Sequence, residues 1–204
     1  MRKRQPRKIL LTIVLVPLCV LFTGLVLPQR FHMPVEGAGP RSFDLRSFWY
    51  YPWGASVTHK GVDIFAPAGT PVHASVPGLV VFAGENGRGG NAVLVLGPKW
   101  RLHYYAHLRE IRTHRGAFVG RSDVLGTVGN SGNAKHRPAH LHYSMATLLP
   151  YPWHVARGPH GLRRMWYLDP TPLLVRATAI TAPPGPERAP VAARPRNPRP
   201  RRRC

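Results

Sequence analysis

Four histidines and an aspartate, carried in three short strings, have the types and spacing to hold and use a metal ion. His59 and Asp63 lie in HKGVD, His107 in YYAHL (residues 104–108), and His140 and His142 in HLHY (residues 140–143). His140 and His142 are two apart in an alternating stretch, so on a strand both imidazoles point to one face, and a metal could use one or both. His59 and Asp63 are four apart, roughly 13 Å in an extended strand, whereas zinc needs ligand atoms at about 2 Å. The backbone between them must bend, and Gly61 can adopt the dihedrals of a bend without a side-chain penalty. Two neutral imidazoles, one carboxylate and an open fourth position for water are the pattern of a catalytic zinc; structural sites favour thiolates, which these strings lack.

The three strings sit in connecting text that reads HKGVDIFAPAGTPVHASVPGLVVFAGE, GGNAVLVLGP, RLHYYAHL, VLGTVGNSGNA, PAHLHY and LDPTPLL. In this order and spacing the chain resembles the lysostaphin-type zinc peptidases of family M23, which cut peptidoglycan cross-links, over about Phe43 to Leu174. The resemblance implies one zinc ion per chain on His59, Asp63 and His142, with His107 and His140 matching the two catalytic histidines that are not ligands. The family commonly ends this motif in HLHFE or HLHYE, whereas Ser144 stands here in place of the acid, which is not a ligand. A tyrosine shortly before the first ligand often assists the family's reaction; Tyr50, Tyr51 and Trp53 occupy that neighbourhood.

Zinc lowers the pKa of a bound water from near 16 toward about 7 and polarises a carbonyl. Two neutral histidines beside it are suited to take the water's proton and to protonate or stabilise the tetrahedral species. By resemblance the substrate is the peptide cross-bridge of the wall, either a D-alanine to diaminopimelate link or a Gly-Gly bond. The rival reading is a non-catalytic relative that activates other wall hydrolases. Such relatives have lost zinc ligands, and all five positions are intact here.

To bring three distant strings together the chain between them must form a compact sheet. Pro and Gly punctuate β-rich runs at residues 70–75, 78–83, 91–96, 101–107, 123–128 and 140–146, with almost no helical period, so the expected fold is an all-β antiparallel domain, by resemblance like a duplicated hybrid motif. Leu79 to Phe82 is continuously apolar and is expected to be buried on both faces. Alternation puts His103 and Tyr105 on the face of His107 and Leu102, Tyr104 and Ala106 opposite. The loop NSGNAKHRP (130–138) is placed to form one wall of a cleft and to present Lys135 or Arg137 to an acidic substrate. His73, His114, His136, His154 and His160 are read as ordinary surface or core residues.

The chain of 204 residues has room for one such domain, assigned to residues 43–176. Residues 1–8 form a basic cytoplasmic segment, and residues 9–27 run nineteen positions without a charge, roughly 28 Å as a helix, read as a transmembrane anchor in preference to a cleaved signal. Residues 28–42 are read as a linker, and residues 177–204, rich in Pro and Arg, as a disordered tail. Net charge is +21, yet seven arginines follow Pro186, five basic residues precede the apolar run, and no helix-turn-helix, RNP or finger motif occurs between. These features exclude a dedicated nucleic-acid reader and point to the cytoplasmic membrane and the anionic polymers of a cell envelope as partners, with the domain in the periplasm or otherwise outside the cytoplasm. Cys19 and Cys204 allow no disulfide within the domain.

Overall fold

Alternating apolar residues between Pro and Gly breaks fold into nine strands in the computed structural model, which describes residues 6–181, and side chains from 11 to 179. They are β1 (Val62–Phe65), β2 (Pro71–His73), β3 (Gly78–Glu85), β4 (Asn91–Gly97), β5 (Arg101–Ile111), β6 (Phe118–Val119), β7 (Val124–Val128), β8 (His140–Thr147) and β9 (Tyr167–Leu168). The sheet runs β1-β8-β5-β4-β3-β6, with β7 joining β5 to β2 and β9 on β8. Every pairing is antiparallel, as the sequence pattern predicts.

The alternation sorts the two faces. Val62 and Ile64 of β1, Val93 and Val95 of β4, Tyr105 of β5, and Leu141, Tyr143 and Met145 of β8 are buried in one core cluster. Each side chain of this kind contributes roughly 1.5–3 kcal/mol when fully buried. The intervening residues Asp63, Tyr104, His140, His142 and Ser144 are left on the opposite face, where a cleft opens.

Several expectations are met differently. Residues 32–38, expected within a linker, pack on the domain: His32 N donates to Ser75 O (2.8 Å), His73 N to Pro34 O (2.8 Å), and Val35 bridges to Val72. Met33 and Val35 are buried, so this segment acts as an extra edge of the sheet. In β3 only Val80 is fully buried, because the strand lies near the end of the sheet and a bulge interrupts it between Val80 and Phe82.

One helix was expected, over the N-terminal apolar run, and a second appears where none was. α1 (Pro6–Val26) is the apolar N-terminal stretch, and α2 (Thr171–Thr181) closes the domain. Asp169 Oδ1 accepts from Thr171 N (2.9 Å) at the start of α2, satisfying one of the open donors of a helix N-terminus. Leu174, Ala177 and Thr178, spaced one turn apart, bury against the sheet, so residues 177–181, assigned to the tail, are helical. The remainder of that tail and residues 1–5 lie outside the described residues.

Residues 9–27 do not stand as a membrane span here: among the described residues no helix is long and apolar enough to cross a membrane. Leu11, Ile13, Val16 and Phe22 on α1 are exposed, and Trp100 Nε1 donates to Leu21 O (2.9 Å), docking the helix against the β4-β5 turn.

Candidate metal centre and cleft

Strand register brings the three strings together. Asp63 lies opposite His142 across the β1-β8 ladder, and Ala106 lies opposite His142 on the other side, across β8-β5. His59 precedes β1 and is held by its own backbone: its N–H donates to Tyr50 O (3.0 Å) and its carbonyl accepts from Trp49 N (2.6 Å). The Trp53 ring stacks on the His59 ring with centroids 4.2 Å apart. Tyr50 and Tyr51 are exposed and do not line the cleft, so of the three aromatic candidates Trp53 is the one at the site.

The His59 Nε2, Asp63 Oδ1 and His142 Nδ1 atoms converge, with separations of 3.0, 3.0 and 2.8 Å, and these three residues could hold a metal ion. The protons decide what the convergence means. His59 Nδ1 lies 2.9 Å from the Ser47 carbonyl, which can only accept, so Nδ1 carries the hydrogen and Nε2 of the neutral ring presents a lone pair. With the hydrogen of His142 on Nδ1, three short contacts share a single proton, and the lone pairs of His59 Nε2 and Asp63 Oδ1 face one another at 3.0 Å. A cation among the three atoms relieves this, and two imidazoles with a carboxylate are a donor set that suits zinc, so the residues fit the metal. Burial acts to raise the Asp63 carboxyl, but the contacts from His142 and then His59 outweigh it and hold the group below the usual carboxylate range. Burial lowers the His142 pKa, against the pull of Asp63.

His107 and His140 complete the cluster, with ring centroids 5.1 Å apart. His107 Nδ1 donates to Ser131 O (2.9 Å) and His140 Nδ1 to Pro138 O (2.8 Å), so both neutral rings turn a lone pair at Nε2 inward. His140 Nε2 is 3.9 Å from Asp63 Oδ2. Burial, then the charge of His142, lowers the His107 pKa to about 4, with the Ser131 bond opposing.

His107 reaches this position by breaking the alternation. Between Tyr105 and Leu108, β5 sets Ala106 and His107 against the single residue Ala92 of β4, and His107 has φ of 63°. A bulge with a left-handed residue flips the side-chain parity. His103 and Tyr105, expected on the face of His107, are therefore fully buried in the core, and Leu102, Tyr104 and Ala106, expected opposite, line the cleft with His107. Gly61 sits in a bend, as expected, although its φ is not positive. It is required by proximity: a Cβ there would lie 2.5 Å from Tyr143 O and 2.9 Å from the His142 ring.

The cleft encloses about 500 Å³. One wall is the loop after β7, through Asn133, Ala134 and Arg137; Lys135 does not line it. Other lining cations are Lys60 and Arg88, and among the described residues Asp63 is the only lining carboxylate. His160, read from sequence as ordinary, stands at the rim with Nδ1 3.3 Å from Thr58 Oγ1, and Tyr104 with its hydroxyl on Asn86 Nδ2 (3.1 Å) forms part of the floor. No signal in the sequence pointed to Tyr104 or His160, because a bulge and a long return loop place them.

Comparison with known proteins agrees with this arrangement. Residues 57–149, which contain all five converging residues, match the family model described as Peptidase family M23. The chain is 36% identical over 128 residues to an L-Ala–D-Glu endopeptidase of Bacillus subtilis, covering 57% of this chain and 37% of that protein. It is 40% identical over 85 residues to the DD-carboxypeptidase/endopeptidase Mpg of Neisseria meningitidis, covering 42% of this chain and 19% of that protein. The chain thus spans from about a fifth to under two fifths of the length of these relatives. Its fold is similar to the catalytic domain of lysostaphin from Staphylococcus simulans, with a TM-score of 0.50 and 27% identity over 68% of this chain and 88% of that one. With the metal-ligand cluster and the antiparallel sheet in agreement, residues 57–149 of this chain match the peptidase family M23 domain.

Proposed function

We propose that the domain is a zinc-dependent endopeptidase that hydrolyses peptide cross-links of bacterial peptidoglycan. The observation that carries the reading is the cluster itself: His59, Asp63 and His142 aim ligand atoms at one point, and His107 and His140 aim free Nε2 lone pairs beside it. His59, Asp63 and His142 would hold the zinc, which when bound supplies Lewis acidity toward the scissile carbonyl and acidifies water. Nε2 of His140 or His107 accepts the proton of the attacking water, and the imidazolium so formed gives a proton to the leaving amine nitrogen. The low pKa of His107, about 4, keeps it in the accepting form at neutral pH. The carbonyls of Ser131 and Pro138 hold the two rings in the tautomer this requires. Ala106, small and opposite His142, leaves room for a substrate backbone on the sheet face.

Relatives named as peptidoglycan DD-endopeptidases support the substrate class. A location outside the cytoplasm belongs to the same proposal, supported by the uncharged stretch at 9–27 behind a basic cluster and by the place of the wall polymer; the membrane and anionic envelope polymers are its proposed further partners. Metal analysis of the purified full chain, with digestion of isolated wall sacculi read by fragment mass, tests the activity. About one zinc per chain and fragments from peptide-bond cleavage are expected. A zinc-loaded protein that releases nothing, or a His142→Ala variant that keeps both zinc and activity, would overturn the reading.

A further inference from the structure

The rim of the cleft on the Thr58 side carries cations that no acid neutralises. Lys60, next to His59, lines the cleft and uses two of its three N–H donors on Ser56 O (2.9 Å) and Thr58 O (3.3 Å). Thr58 Oγ1 meets His160 Nδ1, and a hydroxyl donating there leaves the His160 Nε2–H as an outward donor. His160 opens the turn Gly161–Trp166, a 3-10 segment in which Arg163 N donates back to His160 O (2.9 Å). That bond keeps Arg163 within one turn of His160. The Arg163 charge is also felt at Lys60 and at Tyr167, both of which line the cleft. No ion pair among the described residues includes Lys60 or Arg163. Residues 148–168 contain no acid, and the one carboxylate of the cleft, Asp63, is committed to His59 and His142.

We propose that Lys60, His160 and Arg163 form a carboxylate-binding subsite at the cleft rim, which selects peptides bearing a free acid near the scissile bond over neutral ones. The inference rests on the peptidase reading and narrows it, favouring a cross-link that carries a diaminopimelate carboxylate over a glycine bridge. A guanidinium and an ammonium with open donors at a partly enclosed site hold a carboxylate by charge-assisted hydrogen bonds, which a primary amide cannot match. His160 and Arg163 lie beyond the residues matched to the family, so two of the subsite's three residues come from the return loop after β8.

Two synthetic peptides test it: a D-alanyl-diaminopimelate cross-link with the diaminopimelate carboxylate free, and the same peptide amidated there. Binding of each to the full chain is measured by calorimetry with chelator present, so that nothing turns over. The free acid is expected to bind about tenfold tighter at low salt, with the ratio shrinking as salt rises and falling to within about twofold in Arg163→Gln and in Lys60→Gln. Equal affinities in the unaltered chain, or a ratio that survives in both folded variants, overturns the subsite. The same peptides are then offered to the metal-loaded chain. If neither is cut although their affinities differ, the peptidase reading fails and the subsite stands; if both are cut and bound alike, the subsite fails and the peptidase reading stands.

Discussion

A neutral imidazole has one lone pair, and the partner of one ring nitrogen decides which of the two holds it. At His59, His107 and His140 that partner is a backbone carbonyl, on Ser47, Ser131 and Pro138 respectively, so three separate turns of chain aim three lone pairs into one cleft. The lone pair of His59 meets Asp63 and His142 at 3.0 Å, whereas those of His107 and His140 do not touch another ligand atom within 3.5 Å. Two different outcomes of substitution follow. His59→Ala, Asp63→Ala and His142→Ala should each abolish zinc retention and hydrolysis together. His107→Ala and His140→Ala should keep zinc, measured by metal analysis after dialysis, and lose at least about a hundredfold in rate, as general acid-base groups do. Loss of zinc in either of the latter would move that histidine into the ligand set. Gly61→Ala is a subtler probe. Its Cβ would press on the His142 ring and on the Tyr143 carbonyl, which is backbone and cannot yield cheaply. Metal affinity should fall about 10- to 100-fold, the range seen when a ligand's support is disturbed, without any ligand atom being removed.

Strand β5 shows where a sequence pattern serves and where it stops. Alternation in HLHY correctly put His140 and His142 on one face, because β8 is regular from end to end. The same rule applied to RLHYYAHL put His103 and Tyr105 in the cleft and Tyr104 outside it, the reverse of what is found, because period-two reasoning assumes an uninterrupted ladder. The bulge at Ala106 and His107 has no glycine to announce it, and what stabilises it is distant in sequence. Ser131 Oγ donates to Leu108 O (2.8 Å) and accepts from Asn91 N (2.9 Å), while its carbonyl takes the His107 proton. The turn that carries Ser131 is itself pinned by close backbone contact, since a Cβ on Gly132 would lie 2.3 Å from Gly90 N. Strands were readable from local runs, but a clamp joining three loops was not. Ser131→Ala therefore should lower kcat about tenfold or more with zinc retained and KM little changed, because it removes the hydroxyl that fixes the turn presenting its carbonyl to His107, without touching the metal ligands. Steady-state kinetics beside metal analysis checks this, and zinc loss or an unchanged kcat would show that the bulge holds without its clamp.

At the scale of the whole molecule, composition and punctuation located the sheet within a few residues of its strands, yet placed the domain's edges less well. Val35 and Ala177 are buried although they sit in segments whose Pro, Gly and Arg content reads as linker or tail. One apolar residue in the right place is enough to dock a segment, and no periodicity reports it. The core these segments cover contains a buried polar cluster: Tyr105 Oη accepts from Ser75 N (2.8 Å), and Tyr143 Oη pairs with His103 Nδ1 (2.7 Å). Burial pushes Tyr105 up to about 12 and His103 down to about 3, the latter aided by the Arg101 charge. For stability the sign is set by which state binds the proton. His103 titrates near 6.5 when unfolded and near 3 when folded, so between these values the unfolded chain holds more protons and acid favours unfolding. Stability from this residue is fully present above pH 6.5 and declines as pH falls toward 3, by about 2 kcal/mol at pH 5 if the other groups are unchanged. His103→Gln keeps an acceptor for the Tyr143 hydroxyl and removes the titration. Urea unfolding of the metal-free chain at pH 7 and pH 5 should therefore show a smaller loss on acidification for His103→Gln than for the unaltered protein, even if the variant is less stable at pH 7. An identical loss in both would mean that His103 is not the buried group the acid reaches, and that the cluster around Tyr143 opens to solvent before the fold gives way.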